Sequence, residues 1–162
     1  MKANKNQLKV CIVMGSKSDY RIMRDCEKIL QKLKISFDTK IVSAHRTPER
    51  LYSFSKKAKK EYKVLIAGAG GAAHLPGMIS AMTSLPVIGV PIETKSLKGL
   101  DSLLSIVQMP KGVATATVAI NNSMNAGLLA AQILALNDEK INNNLIKFRV
   151  KQTKSIKKKP KS

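Results

Sequence analysis

Five short apolar runs, at residues 9–14, 37–42, 64–67, 86–90 and 115–120, alternate along the chain with segments of helical period. This alternation limits the fold more than any other feature. A strand that rejoins the same sheet after a helix lies parallel to the one before it, since a crossover of helical length brings the chain back to the same edge. Parallel strands are covered on both faces, so they read as continuous Val, Ile and Leu runs, as at 86–90. The expectation is an α/β fold, a single-domain three-layer αβα sandwich on a five-stranded parallel sheet, flavodoxin-like. The apolar share of 44% is mostly Ile, Val, Leu, Ala and Met, with no Trp and 4% aromatics, which suits helices packed closely on such a sheet.

The helical segments are read from their apolar spacing. Ile22, Met23, Cys26, Ile29, Leu30 and Leu33 fall on one face of a first helix. Leu51, Phe54, Ala58 and Tyr62 mark a second, with a lysine-rich outer face. Pro91 is expected to close the fourth strand, and Asp101 to cap a helix over 102–107. Residues 125–136 are apolar around almost the whole helical circumference, more than one sheet can cover. They are expected to be buried between subunits.

Reactive residue types gather where strand patterns end. At 43–48, Ser-Ala-His-Arg-Thr-Pro, Thr47 can cap a helix that Pro48 opens, which puts His45 and Arg46 on a strand-to-helix turn. Open α/β sheets bind ligands at the carboxyl ends of their strands. The other histidine, His74, lies on a second turn of this kind. Ser16, Ser18 and Asp19 cluster at the start of the first helix, where free amides favour an anion; each could equally be a plain cap. Residues 68–77 fit G-x-G-x-x-A but follow the third strand, without the acid a dinucleotide site requires. Those glycines bring backbone close to something, either a small substrate group or a packed neighbour. The run Gly-Ser-Lys-Ser at 15–18 lacks the first glycine of an ATP phosphate loop.

Charge and cysteine bound the remaining classes. The formal charge is +19, but eight of the 29 basic residues, and no acid, fall within 147–162. Residues 151–162 therefore read as a flexible, solvated basic tail behind one domain spanning 1–150. No aromatics interleave the basic surface for base stacking, so nucleic acid is not the favoured partner. Cys11 and Cys26 sit in apolar patterns and read as buried small hydrophobes, neither a disulfide nor a metal pair. The apolar run at 10–14 is too short for a signal sequence or a membrane span, so a cytoplasmic protein is expected.

The motifs at these turns carry a family resemblance. "VMGSKSD" at 13–19, "SAHRTP" at 43–48, "IAGAGGAAHLPGM" at 66–78, "LPVIGVP" at 85–91 and "GLDSLLSIVQMP" at 99–110 resemble, in order, the PurE family of purine biosynthesis. The stretch "GAGGAAHLPGM" resembles its bacterial N5-carboxyaminoimidazole ribonucleotide mutase class rather than the carboxylase class of animals. The resemblance implies a cofactor-free, metal-free isomerase and a homo-octamer. Its reaction moves a carboxylate from the exocyclic nitrogen of an aminoimidazole ribonucleotide to ring carbon C4. In that reading His45 transfers protons, Arg46 takes the substrate phosphate, Ser16 and Ser18 serve the nucleotide, and Asp19 accepts from the ribose hydroxyls. Ser43, Ala69, Gly70 and Gly71 would line the base and carboxylate pocket. His74 and Leu75 would border it, with His74 either supporting the site or merely capping its helix. Two other classes stay open at this point, a direct carboxylase using free carbon dioxide and a basic nucleic-acid-binding protein. The chain departs from the family at Ala114, where proline is common, and in a shorter loop at 120–127, expected to bear on a subunit contact rather than the catalytic motifs.

Overall fold

A computed structural model describes residues 9–157 and Lys159. The strands are β1 (Val10–Met14), β2 (Phe37–Ile41), β3 (Val64–Gly70), β4 (Val87–Ile92) and β5 (Ala116–Thr117), all parallel, in the order β2-β1-β3-β4-β5. The helices are α1 (Tyr20–Lys32), α2 (Pro48–Glu61), α3 (Leu75–Met82), α4 (Leu100–Val107), α5 (Ser123–Ala135) and α6 (Glu139–Ser155), with a 3-10 turn at Lys17–Asp19 before α1. This is the flavodoxin-like order expected from the alternation of strand and helix signals.

The alternation of side chains along each strand divides the core in two. Val10, Ile12 and Met14 of β1, with Ile66 of β3, face α1, α5 and α6. Cys11 and Val13, with Leu65 and Ala67, face α2, α3 and α4. Both thiols are buried and free. Burial pushes that of Cys11 up to about 12 and also raises that of Cys26, so both stay protonated and behave as the small hydrophobes expected. Among the described residues no helix is long and apolar enough to cross a membrane.

Several boundaries differ from those read in the sequence. β3 runs three residues further, to Gly70, because Ala69 and Gly70 pair with Pro91 and Ile92. Pro91 does not close β4, which continues to Ile92, and its carbonyl still accepts from the Asn121 amide at 2.8 Å. β5 is reduced to two residues, paired with Ile88 and Gly89. α4 starts earlier, from Gly99 at φ +89°, so Asp101 lies inside its first turn instead of capping it. α6 continues through 151–155, into the segment expected to be tail; residues 158 and 160–162 lie outside the described residues.

The expectation that α5 is buried between subunits rested on one sheet being too little cover. The structure supplies the cover within one subunit: α1 lies along one side of α5, α6 along another, and β3 and β4 beneath. Ile141, Leu145 and Phe148 of α6 belong to the same core as Ala126, Ala130 and Ala131. Gly127 sets the approach of α1 to α5, since a Cβ there would lie 2.4 Å from Ile29 Cγ2 and 3.4 Å from the Cys26 carbonyl oxygen. Gly127→Val should therefore destabilise the fold by about 1–3 kcal/mol, the usual penalty of overpacking. A urea titration reads this as an earlier midpoint, and an unmoved midpoint would mean the two helices have room to spare.

Candidate active site

Register decides where the strand ends meet. Met14 of β1 lies level with Ile41 on one side and Gly68 on the other, so the turns after β1, β2 and β3 open at one edge. The direction in which the chain winds across the sheet reverses between β1 and β3, the switch point at which doubly wound sheets leave a crevice. A cavity of about 500 Å³ lies there.

The turn after β2 is held by its own side chains. Thr47 occupies the N-cap position of α2, yet its hydroxyl is used backwards, accepting from the Ser43 amide and donating to the Ser43 carbonyl, both at 2.9 Å. The Ser43 hydroxyl accepts from the Arg46 amide at 3.2 Å and from Arg46 Nε at 3.3 Å. Arg46 Nη2 donates to the Gly15 carbonyl at 3.1 Å, which ties the turn after β2 to that after β1. The guanidinium itself remains exposed at the cavity.

On the β1 side, Asp19 Oδ2 accepts from the Ser16 amide at 3.1 Å, and Ser18 donates to Oδ1 at 3.3 Å. Burial pushes the Asp19 carboxyl above its ordinary value, against these hydrogen bonds and the nearby Arg46 charge, which favour the ionised form. His45 Nε2 and His74 Nδ1 are 2.8 Å apart, with the rings edge to face at a centroid distance of 4.9 Å. One of these nitrogens must donate and the other accept, so the pair shares one proton across the contact. His74 stands at the N-cap of α3, but its side chain makes no capping bond; it meets His45 instead.

Every residue singled out from the sequence lines the cavity except Gly71. Gly71 takes φ +69°, a region that disfavours other residues, and its amide donates to the Ser102 hydroxyl at 2.8 Å, away from the opening. Gly70 is tightly packed: a Cβ would lie 3.2 Å from the Ile92 carbonyl oxygen and 3.2 Å from Thr94 Cγ2, so its neighbours would have to shift by a few tenths of an ångström. The close approach that the glycines signalled is thus between the ends of β3 and β4. Arg21, Glu93 and Thr94 also line the cavity and were not singled out. Glu93 and Thr94 follow a strand end like the others, but placing that end at Pro91 instead of Ile92 hid them. The 120–127 loop does not line the cavity but backs one of its walls through Asn121, whose Oδ1 accepts from the Glu93 amide at 2.9 Å and whose Nδ2 donates to Glu93 Oε2 at 3.0 Å.

Comparison with known proteins agrees with this geometry. The family model described as AIR carboxylase matches residues 9–155. A Brucella melitensis protein named N5-carboxyaminoimidazole ribonucleotide mutase is 56% identical over 93% of this chain and 95% of its own length. A Saccharolobus solfataricus protein of the same name is 55% identical over 86% of this chain and 89% of its own. The crystal structure of Treponema denticola PurE superposes with a TM-score of 0.82 at 30% identity, covering 90% of this chain and 91% of that one. With relatives at this identity along nearly its whole length, the chain belongs to the AIR carboxylase family, the PurE family that its motifs resemble.

Proposed function

We propose that the cavity at the β1–β3 switch is the active site of an N5-carboxyaminoimidazole ribonucleotide mutase, with His45 as its proton carrier. The enzyme is an isomerase of purine biosynthesis, as its relatives' names and the family match indicate. The observation that carries the assignment of the site is the contact between His45 and His74 beside Arg46 in one cavity.

The reaction breaks the bond from N5 to the carboxylate carbon and forms one from that carbon to C4. C4 must give up its hydrogen as a proton for the ring to recover aromaticity, and N5 must gain one. The net change is an isomerisation, so a single imidazole that takes the first proton and delivers the second balances it. An imidazole exchanges protons near neutral pH, which suits it to both halves. His74, bonded to Nε2 of His45, fixes that ring and leaves Nδ1 to face the substrate. The Arg46 fork holds the phosphate through charge-assisted hydrogen bonds, with Ser16 and Ser18 beside it and Asp19 accepting from the ribose. Ser43, Ala69 and Gly70 line the end of the cavity where base and carboxylate react, bordered by Leu75, and Gly71 acts through its turn.

The protein works in the cytoplasm as a homo-oligomer, an octamer by family resemblance. Support for assembly comes from α4 rather than α5. Leu100, Leu104 and Val107 are exposed along one face of α4, with Leu97 nearby, each between 46% and 58% accessible. Soluble monomers avoid contiguous apolar patches of this kind. Light scattering should give a mass several times 17.7 kDa, and a monomer would sink the inference.

Incubation with the N-carboxylated ribonucleotide, and separately with the decarboxylated one plus bicarbonate, tests the reaction. Product from the first at low bicarbonate is expected; product from the second alone would make the enzyme a direct carboxylase. His45→Asn keeps polarity and approximate size but cannot exchange a proton, so turnover should fall by about 10² to 10⁴ while substrate affinity survives. Turnover within about tenfold of the parent would remove His45 from the role, since general acid–base catalysis is worth more than that.

A further inference from the structure

Three consecutive residues at the end of β4, Ile92, Glu93 and Thr94, form one wall of the cavity. Each is held from behind by a side chain that does not line it. The Ser102 hydroxyl donates to the Ile92 carbonyl at 2.7 Å. Asn121 grips Glu93 through both backbone and side chain. Asp101 Oδ2 accepts from the Thr94 hydroxyl at 3.0 Å. Ser102 does more than the other two, because the same hydroxyl accepts from the Gly71 amide at 2.8 Å. It is fully buried, on the inner face of α4. One oxygen therefore joins the glycine turn after β3 to the wall after β4.

We propose that Ser102 is a positioning residue for the reaction, setting the glycine turn against the 92–94 wall so that the reacting end of the substrate is held in register. The proposal rests on the mutase reading of the cavity. A hydroxyl offers one proton and lone pairs on one small atom, and both functions are in use here. Alanine has neither, and removing the oxygen would take this partner from the part-buried Gly71 amide and from the buried Ile92 carbonyl. Ser105 also donates to the Gly71 carbonyl, at a longer 3.4 Å, and Asp101 holds Thr94, but of these side chains Ser102 is the one that joins both sides through a single atom. Gly70 brings no side chain, and Gly71 is turned to φ +69° so that its amide points at Ser102.

A role confined to stability would lower the melting temperature and leave the kinetics of the folded enzyme alone; a positioning role separates turnover from binding. Arg46 and the turn after β1 lie across the cavity and are untouched by the change. The test compares parent, Ser102→Ala and Ser55→Ala in the mutase assay, with melting temperature and mass measured alongside. Ser55 is the matched control, a buried serine on α2 whose hydroxyl donates to the Leu51 carbonyl at 2.8 Å, outside the cavity. In Ser102→Ala, kcat should fall by about tenfold or more, with KM within about threefold, as small misplacements of a reacting group do. Ser55→Ala should lose thermal stability but keep kcat within about twofold, since it alters nothing that orients the substrate. A Ser102→Ala kcat within about twofold of the parent, or a rise in KM alone, overturns the proposal, because lost orientation acts on turnover. So does equal loss of kcat in the two variants. If Ser102→Ala does not fold, Ser102→Cys, which keeps the volume and a weak donor, is judged by the same split. If the parent makes product only from the decarboxylated ribonucleotide and bicarbonate, the mutase reading falls, and the same comparison on that activity still decides the role of Ser102.

Discussion

The reversal between β1 and β3 in the direction the chain winds across the sheet is the constraint on which the rest depends. Right-handed crossovers put α1 and α5 on one face of the sheet and α2, α3 and α4 on the other, so no helix lies over the ends of the two middle strands. The gap is a geometric result of winding in both directions. Because the sheet is parallel, every strand delivers its turn to the same edge, and four separate turns supply the walls of one cavity. Met14 and Gly68 end level with each other, and Gly70 ends level with Ile92, so the turns meet without long loops.

How much of this could be read in the chain depended on how local each signal was. The parallel sheet followed from alternation, and the turn at 43–48 from a strand run meeting Thr47 and Pro48, because both are written in neighbouring residues. His45 and Arg46 were legible for that reason. The meeting of His45 with His74 was not, since it spans 29 positions and depends on register. Gly71 was legible as a glycine that matters but not as one that faces away, because the partner for its amide is supplied by α4, 31 residues later. The end of β4 was misplaced because proline usually stops a strand, and here Pro91 sits where its missing N–H is tolerated. The cover that α6 gives α5 was not seen because its five apolar residues out of 17 are interleaved with asparagine, lysine and other polar residues, so its contribution to the core is hard to see in composition.

Function and stability pull apart at Asp19. Its carboxyl is raised by burial, which means the folded protein prefers it protonated. A raised carboxyl contributes stability below its folded value and loses that contribution as pH rises through it, so at neutral pH the ionised group weighs against the fold. Its hydrogen bonds from Ser16 and Ser18 and the nearby Arg46 offset part of this. A charged acceptor at a helix start inside the cavity is what a ribose would need.

The placement of α6 bears on how the chain is made as well as on how it is covered. α5 lies between α1, formed from the first 32 residues, and α6, whose contacts come from Ile141, Leu145 and Phe148. During synthesis α5 leaves the ribosome before α6 does, so the core that Ile141, Leu145 and Phe148 complete is still open when α5 emerges. Closure of the core waits for the last helix, and the lysines on its outer surface keep that late segment from joining an apolar flank of another nascent chain.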